Sequence, residues 1–295
     1  MPLLAPSFSA HKVDADLVIC STSGWAHGVR TRGRKLVYCH APARWLYQSQ
    51  VYLGSNSRPG RPTAARLALA ILKKPLMNWD RRAADSADMY IVTSRAVQTQ
   101  VRDVYGIDAH LLPPPVADMS DWAATRVTGI EPGYLLCVSR LLPYKNVDVL
   151  LEAMRKLPNE RLVVAGTGPE LKALRAVAPT NARLLSRVTD EQLAWLYKNC
   201  SAVVAPSYED FGLVPIEAAM FGKPTAALRF GGFLDTVVDG ETGVHFADAT
   251  PGDIAKAITE VGTLKAPASK LVAHAQRYGD NAFVAGLISL TNAIN

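Results

Sequence analysis

The sequence predicts an α/β protein made of two doubly wound parallel-sheet domains. Three observations carry that reading. Short apolar or β-branched runs alternate with helical patterns through almost all of the 295-residue chain. These runs are hydrophobic at nearly every position rather than at every second one, as strands buried on both faces of a parallel sheet must be. One stretch, 113–133, breaks the alternation with prolines and polar residues and reads as a linker. The division expected from these features is 1–125 for the first domain and 126–295 for the second, with the last helix crossing back to the first.

In chain order, the first domain's strands are expected at "DLVIC" (16–20), "KLVYCH" (35–40), "MYIVTS" (89–94) and "HLLPP" (110–114). The second domain's are expected at "YLLCVS" (134–139), "RLVVAG" (161–166), "ARLLS" (182–186), "AVVAPS" (202–207), "KPTAAL" (223–228) and "GVHF" (243–246). Helices fall between them, among others at 147–157, 191–200 and 215–221. Ligands in such sheets bind outside the carboxyl ends of the strands.

Composition narrows the class. With 49% hydrophobic and 20% charged residues the chain is globular. No apolar run reaches the ~18 residues of a membrane-spanning helix. The opening "MPLLAPSFSAHK" has no basic region followed by an apolar core, which argues against a signal peptide. Cys20, Cys39, Cys137 and Cys200 sit in or beside apolar runs without a C-x-x-C pair. Buried reduced thiols in a cytoplasmic protein are therefore expected, not disulfides or zinc. Charge is uneven: residues 1–112 carry a net +8 and residues 113–295 a net −2. Such asymmetry suits an anionic partner (a phospholipid surface, a diphosphate-bearing substrate or nucleic acid) or a merely solvated basic face. No array of stacking aromatics supports nucleic acid.

Four features of the second domain fall just after expected strands. "SRLLPYK" places Arg140 and Lys145 between a strand and a helix. "AGTGPEL" makes a tight turn at Gly166. Leu171 stands where a dinucleotide fingerprint needs its third glycine, so NAD binding is rejected. "SRVTDEQL" runs from a strand end through Arg187 and Val188 into a helix capped by Thr189 or Asp190. The fourth, "EDFGLVPIE", separates Glu209 from Glu217 by seven residues and opens a helix. Backbone N–H groups of Phe211, Gly212 and Leu213 at that helix start form an anion site, with Gly212 allowing close approach. With Pro215 as first helical residue, Glu217 stands in the first turn, where the helix dipole alone would favour it. Taken together, two cations suit a diphosphate and two carboxylates suit the hydroxyls of two sugars, so the set fits a nucleotide sugar.

The set resembles the retaining GT-B glycosyltransferases of family 4. Their signature combines E-x7-E with "SR…K" upstream and a "GG…E.V.dG.tG" segment downstream, here "GGFLDTVVDGETGVHF" (231–246) with Asp235 in place of the commoner Glu. By that resemblance Arg140 and Lys145 bind the donor diphosphate, Glu217 the nucleotide ribose and Glu209 the donor sugar. Arg187 and Val188 line the base pocket, and Gly166, Phe211, Gly212 and Leu213 complete the donor site. "YCHAPARWLY" (38–47) resembles the segment carrying the cleft histidine, here His40, so His40, Glu209, Arg140 and Lys145 form the candidate catalytic set. Ser94 takes the place of the family's strand-end serine.

The resemblance implies a GT-B-like fold with two domains facing a cleft. It implies hexose transfer, with mannose as candidate, from a nucleotide diphosphate sugar to a glycan or polyprenyl-diphosphate-linked acceptor with retention of configuration. No metal or other cofactor is required: "DAD" (14–16) precedes its strand, and the cations at 140 and 145 offset the leaving diphosphate. The segment 61–82 sets Leu67, Ala70, Ile71 and Leu76 against Arg66, Lys73, Lys74, Arg81 and Arg82. It reads as a helix with a solvated face or, the reading preferred here, as a peripheral contact with the inner face of an anionic membrane. The family's opening strand, glycine-rich turn and helix are not found, so the first domain is expected to be incomplete: a late start, completion by a partner chain, or a degraded copy. A non-catalytic nucleotide-sugar-binding subunit is the alternative function.

Overall fold

The computed structural model describes residues 4–48 and 64–294. The chain forms two compact units, Met1–Pro114 with Phe283–Asn295, and Pro115–Ala282.

The first unit contains α1 (Leu4–Ala10), β1 (Lys12–Val13), β2 (Leu17–Thr22), β3 (Arg30–Thr31), β4 (Arg34–Cys39), α2 (Arg44–Tyr47), α3 (Ala64–Asp85), β5 (Met89–Val92), α4 (Arg95–Tyr105) and β6 (His110–Leu111). Four strands make a parallel sheet in the order β2-β4-β5-β6, and β1 pairs with β3. Side chains alternate across a strand, and β4 shows what this does. Val37 and Cys39 enter a core with Val92, Val97 and Val101. Leu36 and Tyr38 enter another, with Ile91 and Leu112, onto which Phe283, Leu287 and Leu290 pack. Ser94 caps α4 by accepting from the Val97 N–H, and Gly106 ends that helix in the left-handed region.

Between these layers lies a buried polar group that the hydrophobic pattern does not announce. Asp80, 0% exposed, accepts from the hydroxyls of Tyr47 at 2.9 Å and Tyr105 at 2.8 Å. His27 Nε2 stands 3.1 Å from its other oxygen. Lys35, also buried, donates to the carbonyls of His27 and Val29 and to Ser86. Burial lowers the Lys35 pKa.

Of the basic segment at 61–82, residues 61–63 lie outside the described residues, as do the side chains of Arg66, Leu67, Ala70 and Ile71. The remainder is part of α3, where Leu76 is buried while Lys73, Lys74, Arg81 and Arg82 are exposed. Among the described residues no helix is long and apolar enough to cross a membrane.

The second unit contains β7 (Tyr134–Val138), α5 (Val147–Arg155), β8 (Leu162–Ala165), α6 (Leu171–Val177), β9 (Ala182–Leu185), α7 (Asp190–Asn199), β10 (Cys200–Ala205), α8 (Leu213–Met220), β11 (Thr225–Leu228), α9 (Phe233–Thr236), β12 (Gly243–Phe246), α10 (Pro251–Thr263) and α11 (Ala268–Gln276). The last helix, α12 (Asp280–Asn292), runs on from this unit. Six parallel strands lie in the order β12-β11-β10-β7-β8-β9. Leu135, Cys137, Val164 and Val204 point into one core with α5 and α10. Tyr134, Leu136, Val163 and Val203 point into the other with α7. That is why these strands read as unbroken apolar runs.

The stretch 113–133 is not the solvated linker its composition suggests. Met119, Val127 and Ile130 are buried against Tyr134 and Trp195, and Val116 joins Phe211, Ile216 and Tyr278. These residues belong to the second unit, which begins at Pro115.

Asp80→Ala is expected to cost about 3–5 kcal/mol, because it strands His27 and two tyrosine hydroxyls in the interior. Asp108→Ala, which removes the exposed pair with Arg102, is expected to cost about 1 kcal/mol or less. Urea unfolding followed by tryptophan fluorescence measures both.

Candidate active site

All six strands of the second unit run one way, so their carboxyl ends share one edge. The order reverses at β7, which leads to β8 on one side and lies against β10 on the other. The loops leaving β7 and β10 therefore diverge and leave a crevice between them, the usual ligand position in such sheets. A cavity sits there, lined among others by Ser139, Pro206, Ser207, Glu209, Gly212 and Leu213.

The loop after β7 turns through a 3-10 segment, Pro143–Lys145, and Asn146 follows in the left-handed region at φ 53°. Its side chain donates to the Pro206 carbonyl at 2.7 Å, tying the loop after β7 to the loop after β10. This brings the Lys145 ammonium onto Glu209 Oε1, which also accepts from Ser207 Oγ at 3.1 Å. The Lys145 side chain is 8% exposed and that of Glu209 26%. A cation so desolvated needs its counter-charge. An ammonium has three donors, so a phosphate oxygen can join Glu209 on Lys145 without displacing it. Arg140 is exposed and directs Nη2 to the Tyr144 hydroxyl at 3.3 Å.

The helix after β10 begins at Leu213, two residues before Pro215. Gly212 caps it at φ 85°, and a Cβ there would lie 2.5 Å from the Phe233 ring. Glu217 is thus fifth in the helix, not third, and the dipole argument for it weakens with distance from the first turn. The N–H groups of Leu213 and Val214 remain without intrahelical acceptors beside the cavity. Phe211 is buried, with its ring 5.9 Å from that of Tyr278.

Glu217 is half-buried and accepts from the Tyr197 hydroxyl at 2.6 Å. Burial raises its pKa and that hydrogen bond opposes the rise. Gly166 lets the loops after β7 and β8 touch, since a Cβ there would lie 1.8 Å from the Ser139 carbonyl. Arg187 is exposed, and Val188 packs beside Trp195 and Leu196. Thr189, not Asp190, caps α7, in a reciprocal capping box with Gln192. His40 belongs to the first unit, after β4, with Nε2 2.8 Å from Ser21 Oγ and its ring edge-on to Tyr38. Burial, and then Arg44, lowers its pKa and favours the neutral ring.

The segment 231–246 supports the loop of Glu209. The Gly232 N–H donates to the Glu209 carbonyl at 2.9 Å. His245 Nε2 approaches the Phe233 carbonyl at 3.2 Å, and Asp239 joins Arg229 to the His245 backbone. Sequence reasoning missed Asn146, Ser207, Tyr197 and His245. Only Asn146 carried a local signal, as a residue tolerant of positive φ between a turn and a helix.

The sequence pattern of one family, described as glycosyl transferases group 1, matches residues 122–282. D-inositol 3-phosphate glycosyltransferase 2 of Catenulispora acidiphila is 32% identical over 265 residues, covering 77% of this chain and 61% of the relative. The chain belongs to the group 1 glycosyl transferase family. The D-inositol 3-phosphate glycosyltransferase of Mycolicibacterium smegmatis is also 32% identical, over 62% of this chain and 47% of its own length. The chain thus spans about half to three-fifths of these curated relatives. Among solved structures, sucrose-phosphate synthase from Thermosynechococcus elongatus superposes with a TM-score of 0.72 at 19% identity, over 95% of this chain and 73% of that one. HepE of Anabaena, in complex with UDP-glucose, gives 0.69 at 18% identity over 99% and 81%. The fold is GT-B-like.

Within this family member, Gly231 lies at φ 57° and a Cβ there would meet the Glu209 carbonyl at 1.9 Å. Gly240 has a similar φ of 74° with nothing within 4 Å. Both alanine variants carry left-handed strain of about 1–2 kcal/mol. Gly231→Ala is expected to cost about 1–3 kcal/mol more, from overpacking against backbone. Thermal melts of the two variants test the difference.

Proposed function

We propose that the chain transfers a hexose from a nucleotide diphosphate sugar to a glycan or lipid-linked acceptor, with retention of configuration and without a metal cofactor. The observation that carries this reading is the crevice at the β7–β10 reversal. There a buried lysine, free helix N–H groups and a carboxylate converge, with a second carboxylate at the fifth position of that helix. Lys145, Arg140 and the first-turn N–H groups of α8 bind the diphosphate, and they hold the negative charge that grows on it as the sugar departs. Glu209 accepts from hydroxyls of the donor sugar and Glu217 from those of the ribose. His40 is assigned to the sugar near the reacting centre. Mannose is the first candidate hexose by resemblance. Glucose is the second, from the UDP-glucose held by HepE of Anabaena. The curated relatives' names add a phosphorylated polyol to the acceptors to be compared. The basic exposed residues of α3 support a peripheral contact at an anionic membrane surface.

Lys145→Ala and Arg140→Ala are each expected to weaken nucleoside diphosphate binding by about 10- to 150-fold, the worth of a hydrogen bond to a charged group. Calorimetry with UDP and GDP measures this, and unchanged affinity in both variants removes the diphosphate assignment.

Glu217→Gln is expected to weaken binding with or without an attached sugar. Glu209→Gln is expected to act only on the intact nucleotide sugar or on turnover. Equal losses of free nucleotide affinity contradict this division. Donor binding without transfer, to any acceptor offered, would favour a nucleotide-sugar-binding subunit instead.

A further inference from the structure

We propose that Tyr197 is a positioning residue, whose hydroxyl holds the Glu217 carboxylate so that one oxygen stays available to the nucleotide ribose. The inference rests on the reading of Glu217 as the ribose acceptor. Tyr197 is 0% exposed. Its ring stacks on Phe221 with centroids 5.6 Å apart and planes 10° from parallel, which fixes the direction of the hydroxyl. That hydroxyl donates to Glu217 Oε2 at 2.6 Å. Oε1 has no protein partner among the described residues. An oxygen with two lone pairs suits the two vicinal hydroxyls of a ribose.

The same helix links two parts of the donor site. α7 starts immediately after Arg187 and Val188 and is held at its first turn by the Thr189–Gln192 capping box. Tyr197 lies eight residues beyond that cap, about 12 Å along the axis. One rigid element therefore sets both the entrance assigned to the base and the carboxylate assigned to the ribose. If the side chain served packing alone, a phenylalanine would do so without burying a hydroxyl.

Ionisation follows the same geometry. Burial raises the Glu217 pKa and the Tyr197 hydrogen bond lowers it. The other titratable groups around the pair are the thiols of Cys137 and Cys200. Both are pushed up to about 12 by burial and stay neutral. Lys223 faces Cys200. Without the tyrosine hydroxyl, Glu217 takes up its proton at higher pH. Ribonucleotide affinity should then fall, on acidification, at a higher pH in the variant than in the wild type.

The test uses the full chain, with whichever of UDP and GDP binds the wild type more tightly and with its 2′,3′-dideoxy analogue. Tyr197→Phe is expected to weaken ribonucleotide binding by roughly 5- to 20-fold and to leave the dideoxy analogue unaffected. The loss should be larger at acidic than at alkaline pH. Tyr197→Phe combined with Glu217→Gln should bind no more weakly than Glu217→Gln alone. That comparison holds even if the single variant melts at a lower temperature. Equal losses for ribonucleotide and analogue would overturn the proposal and leave Tyr197 a packing residue. A loss in Glu217→Gln without one in Tyr197→Phe would overturn it while sparing the ribose assignment. A wild type that does not distinguish the two nucleotides removes the assignment of Glu217, and this inference with it.

Discussion

A sheet whose strands all run one way has all its carboxyl ends on one edge, and the second unit builds its candidate site from that edge. Reversal of strand order between β7 and β10 parts two loops that would otherwise lie side by side. The cost of the arrangement is that both faces must be buried. α5 and α10 close one face around Leu135 and Val164, and α7 closes the other around Tyr134 and Val163. The helices then follow the strands in register, and each begins where a loop leaves the ligand edge. The positions of Lys145, Glu209 and Glu217 are consequences of that packing.

Charge within the site is organised by the same scarcity of water. Lys145 has lost most of its hydration and sits on Glu209. Glu217 has lost much of its own and accepts a hydrogen bond from the Tyr197 hydroxyl. Each carboxylate accepts from a donor on another element, Lys145 for Glu209 and Tyr197 for Glu217. Glycines at 166, 212 and 231 make the close contacts possible, since at each a Cβ would strike a carbonyl or a ring. The first unit solves a similar problem with no ligand in prospect. There Asp80 accepts from two tyrosine hydroxyls, with His27 Nε2 beside its other oxygen.

Much of this was legible residue by residue. The nine longer strands were readable because strands buried on both faces are apolar at almost every position. The loops after β7, β8, β9 and β10 were readable because turn glycines, a threonine cap and charged residues follow those runs directly. β1, β3 and β6, two residues each, are too short to show a period. Residues 113–133 were misread because Val116, Met119, Val127 and Ile130 are buried at irregular spacing, without helix or strand. The start of α8 was misplaced by two residues because proline is favoured in a first turn. The helix instead starts directly after Gly212, which caps it at φ 85°.

By itself, then, the sequence determined the parallel α/β architecture, the strand ends and the loops on which the charged residues stand. Hydrophobic period, caps and turn chemistry are properties of neighbouring residues, so a linear reading finds them. Only the tertiary structure decided which donor meets which carboxylate. Lys145 and Glu209 are 64 residues apart and Tyr197 and Glu217 are 20 apart. Burial, pairing and proton affinity depend on what surrounds a group in space, and no local pattern encodes those surroundings.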